Sequence, residues 1–254
     1  TGMKSQDWVT QFAEGYYNVP SMPVYIDSFS DLQMALRNPA IVEQNRRIYT
    51  MLDNMGGSVD AVNFHFYQNE QMLPEVVAWL RSRTSRAGYS PKVLTNETGF
   101  RAAHMSYGQS PEMAKDVFKK MITSMSLGMK VTIWFSNDSV ENGADKLGIF
   151  NADGSLRPSG DTFQRVLSTV SSYRYNNNLS ADPLFHHMFI DPQGKPALEA
   201  LWSASGNISV RLTKMTGASR MVVTDCAGIS HTYSVNTNQV NFTVTPDPVF
   251  IHWE

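Results

Sequence analysis

The residues with the clearest chemical promise are Glu97, His65, Tyr67 and Trp134. Glu97 ends the run Val93-Leu94-Thr95-Asn96-Glu97 and is followed at once by Thr98-Gly99. A carboxylate closing an otherwise apolar strand is costly to bury. It is tolerable where the strand opens into a polar pocket, and the C-terminal strand ends of parallel barrels are where active sites collect. Taken by itself, Glu97 is equally readable as a helix cap or an ion-paired side chain. His65 and Tyr67 stand two residues apart in AVNFHFY (61–67), so on a strand they share one face. Trp134 arrives near the end of KVTIWF (130–135). Alone, the indole reads equally as core or as site, and the imidazole more readily as a hydrogen-bonded structural histidine. A carboxylate, a phenol, an imidazole and an indole meeting at one rim make a functional constellation of the kinds used in acid–base and nucleophilic catalysis.

Those four residues need strands to carry them. Short β-rich runs at Pro23–Phe29, Ala61–Tyr67, Lys92–Glu97 and Lys130–Phe135 recur every 30–40 residues or so, one β–α unit each. Helical patterns fill the gaps. One runs from Asp31 to Met55, interrupted at Asn38-Pro39 and closed by Gly56-Gly57; another begins near Pro74 and ends at Gly88. A third has its start marked by Ser110-Pro111-Glu112, an inward stripe from Ala114 through Phe118 to Met125, and a stop at Gly128. A last helix carries Phe163, Val166, Leu167 and Val170. From about Leu184 the period changes to two. Seven short strands are expected, at 184–190, 197–203, 208–213, 220–224, 231–235, 240–244 and 249–253, with turns at Asp191–Gly194, Ser205–Asn207 and Asp225–Gly228. The fold class that follows is α/β: an open α/β sheet or, in the favoured reading, the C-terminal half of a (β/α)₈ barrel over 1–178, then a small antiparallel β-sandwich over 179–254, with Asn176-Asn177-Asn178 as the joint.

Composition narrows the function. Net charge is −2, with Lys and Arg totalling 21 against 23 Asp and Glu, so neither nucleic acid nor an acidic membrane is an expected partner. The single cysteine, Cys226, excludes an intrachain disulfide and a cysteine metal cage, and reads as filler. His186 and His187 are adjacent on a strand and point to opposite faces, so they cannot coordinate jointly. No metal and no cofactor are expected. No apolar run approaches the ~20 residues that span a bilayer. The start, Thr1-Gly2-Met3-Lys4, lacks the apolar core of a signal peptide, and a chain trimmed there is compatible with secretion or a periplasmic location. Nothing fixes an oligomeric state.

The order FHFY, TNETG, IWF, then Gly148–Gly154 (GIFNADG) and Arg157-Pro158-Ser159, resembles the last strands of the clan A retaining glycoside hydrolases. The tail resembles their appended sandwich, through Asp191-Pro192, Ala200-Leu201-Trp202, Asp225–Gly228 and Pro248–Ile251. The resemblance covers nearly the whole chain after about residue 20 and rests on order and spacing, each motif alone being weak. It implies a carbohydrate substrate, with Glu97 as the nucleophile ending strand seven and Tyr67 donating a hydrogen bond to it. It also implies Trp134 as the floor of a sugar subsite, with His65 and Asn137 reaching sugar hydroxyls.

Retaining hydrolysis needs a second carboxyl group, roughly 5–5.5 Å from the first. In the family it ends strand four, often as Asn-Glu. Asn96-Glu97 is such a dipeptide, but a single β–α unit follows it before the sandwich, which fits strand seven. Glu70, in YQNEQ, is three residues past a strand end, and Glu14 lies in a helical pattern. Some 175 residues precede the sandwich, against ~250 for a closed barrel, so the acid/base and the first strands are expected upstream of Thr1. These residues alone are then expected to be poorly folded or inactive. The rival expectation is a non-catalytic carbohydrate-binding or scaffolding protein on a degenerate glycosidase fold.

Overall fold

The computed structural model describes residue 37 and residues 39–99, 111–135, 148–151 and 153–254. The expected strand Pro23–Phe29, Glu14 and Asn137 lie outside the described residues. The chain divides into two compact units: 1–105 with 127–135, and 106–126 with 136–254. The architecture is mixed α/β.

In the first unit, helix α1 (Pro39–Asn54) leads to strand β1 (Ala61–Phe66). A 3₁₀ turn (Glu70–Met72), helix α2 (Leu73–Arg86), strand β2 (Lys92–Thr98) and the short strand β3 (Thr132–Trp134) follow. The sheet order is β1-β2-β3, with both pairings parallel. Alternation explains β1: Val62, Phe64 and Phe66 are buried, while Asn63 and His65 are not. The buried set packs with Leu73, Val76, Val77 and Leu80 of α2 and with Val93 of β2. Burying each such side chain contributes roughly 1.5–3 kcal/mol. Helix α2 has Pro74 in its first turn and ends at Gly88, whose φ of 87° lets Tyr89 N–H reach back to Thr84 O at 3.1 Å. Tyr89 O–H then donates to Leu52 O at 2.6 Å, tying the end of α1 to this turn.

The second unit holds helices α3 (Pro111–Ser126) and α4 (Pro158–Val170) and strands β4 (Arg174–Asn178), β5 (Leu184–Ile190), β6 (Pro196–Ser203), β7 (Ile208–Thr213), β8 (Arg220–Asp225), β9 (Ser230–Ser234), β10 (Gln239–Val244) and β11 (Val249–Trp253). Every pairing named between these strands is antiparallel. Six form one sheet, β4-β5-β6-β11-β8-β9, and β10 pairs with β7. The six-stranded sheet is covered on both faces, which is why β6 is buried at six successive positions. On one face Leu201, Ile251 and Trp253 share an apolar cluster with Leu212 of β7 and Val244 of β10. On the other, Phe118 of α3 meets Phe250 and Trp202, at centroid distances of 4.5 and 6.3 Å. The Asn176–Asn178 run, expected as a joint, is the end of the edge strand β4, paired to β5.

His187 is 2% exposed, between Tyr175 and Trp202, and neither ring nitrogen meets a hydrogen-bond partner among the described residues. Burial, helped by the neighbouring His186, pushes its imidazole down to about 4. Glu199, buried on the opposite face, accepts from Trp253 Nε1–H at 2.7 Å and bonds His186 Nε2. The β8–β9 turn is fastened to α4: Thr162 O–H and Arg165 Nη1 donate to Cys226 O at 2.8 and 2.9 Å. The guanidinium of Arg165 occupies the place where a side chain on Gly228 would stand.

Candidate active site

Strands β1 and β2 run parallel and bring their C-terminal ends to one edge, with His65 opposite Glu97 and Phe66 opposite Thr98. Paired residues in a parallel ladder project to the same side, so Glu97 shares a face with His65, and with Tyr67 just beyond the strand. Tyr67 O–H donates to Glu97 Oε1 at 2.5 Å. His65 Nδ1 lies 3.3 Å from Glu97 Oε2. The carboxylate and the imidazole are 29% and 24% exposed, so the group is open to a ligand while fixed at both oxygens.

Two residues that the sequence reading did not single out complete the local geometry. Gly99 carries no side chain where Tyr67 Cε1 and Phe135 O would stand 2.7 and 2.8 Å from a Cβ. That missing atom lets the phenol and the end of β3 close over the strand terminus. Phe135 N–H donates to Thr98 O at 2.6 Å, and the Phe135 ring meets the Tyr67 ring edge-on at 6.4 Å. The signal for Gly99 was present in its position directly after the charged strand end; Phe135 had none beyond being aromatic.

Of the expected site residues, the structure gathers Glu97, Tyr67 and His65. Trp134 goes elsewhere: it is opposite Thr98 in the ladder, in line with Phe66, and is 6% exposed. Asn137 lies outside the described residues. Glu70 is buried at the start of the 3₁₀ turn. Among the described residues no group of three His, Cys, Asp or Glu side chains is arranged to hold a metal, and no helix is long and apolar enough to cross a membrane.

Solved structures of similar fold include glycoside hydrolases. A family 39 glycoside hydrolase from the gut symbiont Bacteroides cellulosilyticus WH2 superposes with a TM-score of 0.65 at 16% identity, over 82% of this chain and 47% of that one. A β-porphyranase of glycoside hydrolase family 86 from Bacteroides plebeius gives 0.60 at 13%, over 86% and 45%. The fold is one that glycoside hydrolases use. A family 44 endoglucanase from Clostridium acetobutylium ATCC 824 gives 0.53 at 10% identity, over 98% of this chain and 60% of that one. The chain thus spans about half the length of the first two structures. No family model matches it, and no curated protein matches it by sequence.

Proposed function

We propose that this chain supplies the nucleophile of a retaining glycoside hydrolase acting on a β-linked glycoside or polysaccharide, with Glu97 as that nucleophile. The observation that carries the reading is the Tyr67 O–H···Oε1 bond to a partly exposed carboxylate at the C-terminal edge of parallel strands. A donor aimed at Oε1 holds the carboxylate in place, and Oε2, with His65 beside it, is the oxygen proposed to attack. In the proposed step Oε2 bonds to the anomeric carbon as the glycosidic C–O bond breaks. The leaving oxygen takes a proton from a second carboxylic acid, a role to which we assign no described residue. Water, deprotonated by the resulting carboxylate, then attacks the same carbon and releases Glu97. His65, beside Oε2, and Asn137 are proposed to bind hydroxyls of the bound sugar. The apolar wall is assigned to Phe135, whose ring meets Tyr67, and not to Trp134. The parallel strands are read as part of a (β/α)₈ barrel and the second unit's sheets as an accessory sandwich.

The natural gene product, treated with a panel of 2,4-dinitrophenyl 2-deoxy-2-fluoro-β-glycosides, tests this. The activated leaving group needs no acid, so the label reports the nucleophile alone. One sugar is expected to be esterified on the peptide containing Glu97, and none in Glu97→Gln. A folded wild-type protein that takes no label from any member of the panel overturns the assignment and favours a carbohydrate-binding role.

A further inference from the structure

Strand β2 is one residue longer than either neighbour over the same stretch. Asn63↔Leu94 is followed by His65↔Glu97 on the β1 side, and Thr95↔Thr132 by Thr98↔Trp134 on the β3 side. Had the ladder continued unbroken from Asn63↔Leu94, Asn96 would stand beside His65. Glu97 would then stand beside Phe66, on the buried face. The extra residue is a bulge, and it returns the carboxylate to the face of His65 and Tyr67. The burial record agrees: Val93 and Thr95 are buried in alternation, then the phase slips and Thr98 is the next buried position.

A bulge leaves backbone groups without ladder partners, and whatever satisfies them decides where the bulge sits. Asn63 Oδ1 accepts from the Asn96 backbone N–H at 2.9 Å, and Asn63 Nδ2 donates to Asn96 Oδ1 at 2.7 Å. Thr95 O–H closes the other side by donating to Glu97 O at 2.9 Å. We infer that Asn63 is a positioning residue for Glu97: its side-chain amide holds the β2 bulge in the register that turns the carboxylate toward the Tyr67 phenol. Asn63 takes no part in bond making. Its effect on rate rests on the nucleophile reading given above; its effect on register does not.

The test uses Asn63→Ala, Asn63→Asp, deletion of Asn96, and Asn63→Ala combined with that deletion, all in the natural gene product. Asp keeps the acceptor for the Asn96 N–H. Deletion removes the extra residue, so Glu97 faces His65 in a regular ladder with no need of Asn63. Two readouts are taken: the ¹³C resonance of Tyr67 Cζ, with Glu97→Gln as the reference for a lost phenol–carboxylate bond, and the rate and affinity of fluoroglycoside trapping. Asn63→Ala is expected to move the Tyr67 resonance to its Glu97→Gln position. Trapping should slow by about 100-fold with affinity changed less than about threefold, the effect of misplacing a reacting group by roughly 1 Å. Asn63→Asp is expected to keep the wild-type resonance, and the combined variant to recover at least about tenfold in rate. An Asn63→Ala chain that folds only when Asn96 is also deleted supports the inference equally. An unchanged Tyr67 resonance in Asn63→Ala overturns it, as does equal impairment of the single and combined variants. If even the wild type takes no label, the nucleophile reading fails while the Tyr67 resonance still decides the register.

Discussion

At the residue scale, the site is a matter of what each oxygen of Glu97 meets. The phenol fixes Oε1, and its removal is expected to cost rate more than binding. Tyr67→Phe should lower the trapping rate by about 100-fold, the usual order for losing one preorganised donor, with affinity for the sugar nearly unchanged. Gly99→Ala belongs to the same contact. A methyl group 2.7 Å from Tyr67 Cε1 must push the ring aside, so the rate should fall by a similar factor. In the Tyr67→Phe background the same change should add less than about threefold, because the bond it disturbs is already gone. Stopped-flow release of dinitrophenolate reads all three. Glu97, Tyr67 and His65 were legible in the sequence through a charge ending an apolar run and a two-residue period. For Trp134, a place near a strand end does not by itself set the side to which the ring projects. The ladder, in which Trp134 is opposite Thr98, sends the indole to one face while Phe135 reaches Tyr67.

At the element scale, helix α3 shows how far local signals reach. Proline at its first position and Gly128 beyond its end, with φ of 61°, bound it at Pro111–Ser126, close to the expectation. The inward stripe includes Phe118, 1% exposed and packed on Phe250. Phe118→Ala is expected to destabilise the second unit by about 3–5 kcal/mol, read as a fall in the urea midpoint with unchanged slope. The strands of that unit lie within one or two residues of where alternation set them. Two elements escaped notice. Strand β4, Arg174–Asn178, has only Tyr175 partly sheltered, so no alternation announces it, and it exists because β5 offers a free edge. The β2 bulge escaped because a period-two reading cannot register an inserted residue; its sole trace is a pair of asparagines 33 positions apart.

At the scale of the whole molecule, pH acts through groups far in sequence from Glu97. His187 is held neutral, with its imidazole pushed down to about 4 from an ordinary 6.5. The unfolded chain takes up the proton first as pH falls. Stability is therefore full above about pH 6.5, declines between 6.5 and 4, and levels off below, a loss of about 3 kcal/mol at most. Urea unfolding at pH 7.5 and 4.5 should show His187→Phe losing roughly 2–3 kcal/mol less than wild type across that interval. Equal losses would refute the role given to this imidazole. The mixed α/β class was readable from the alternation of helical and strand periods along the chain. A neutral imidazole placed between two rings, with neither nitrogen bonded among the described residues, depends on strands brought together only by folding.

The fastening of the β8–β9 turn carries its own corollary. A loop that recognises ligands must keep polar groups to spare and room to adjust. Here the Cys226 carbonyl is already claimed by two donors from α4, and Gly228 has ceded its space to a guanidinium. This corner behaves as a strut, not a finger: helix α4 braces the hairpin through the turn.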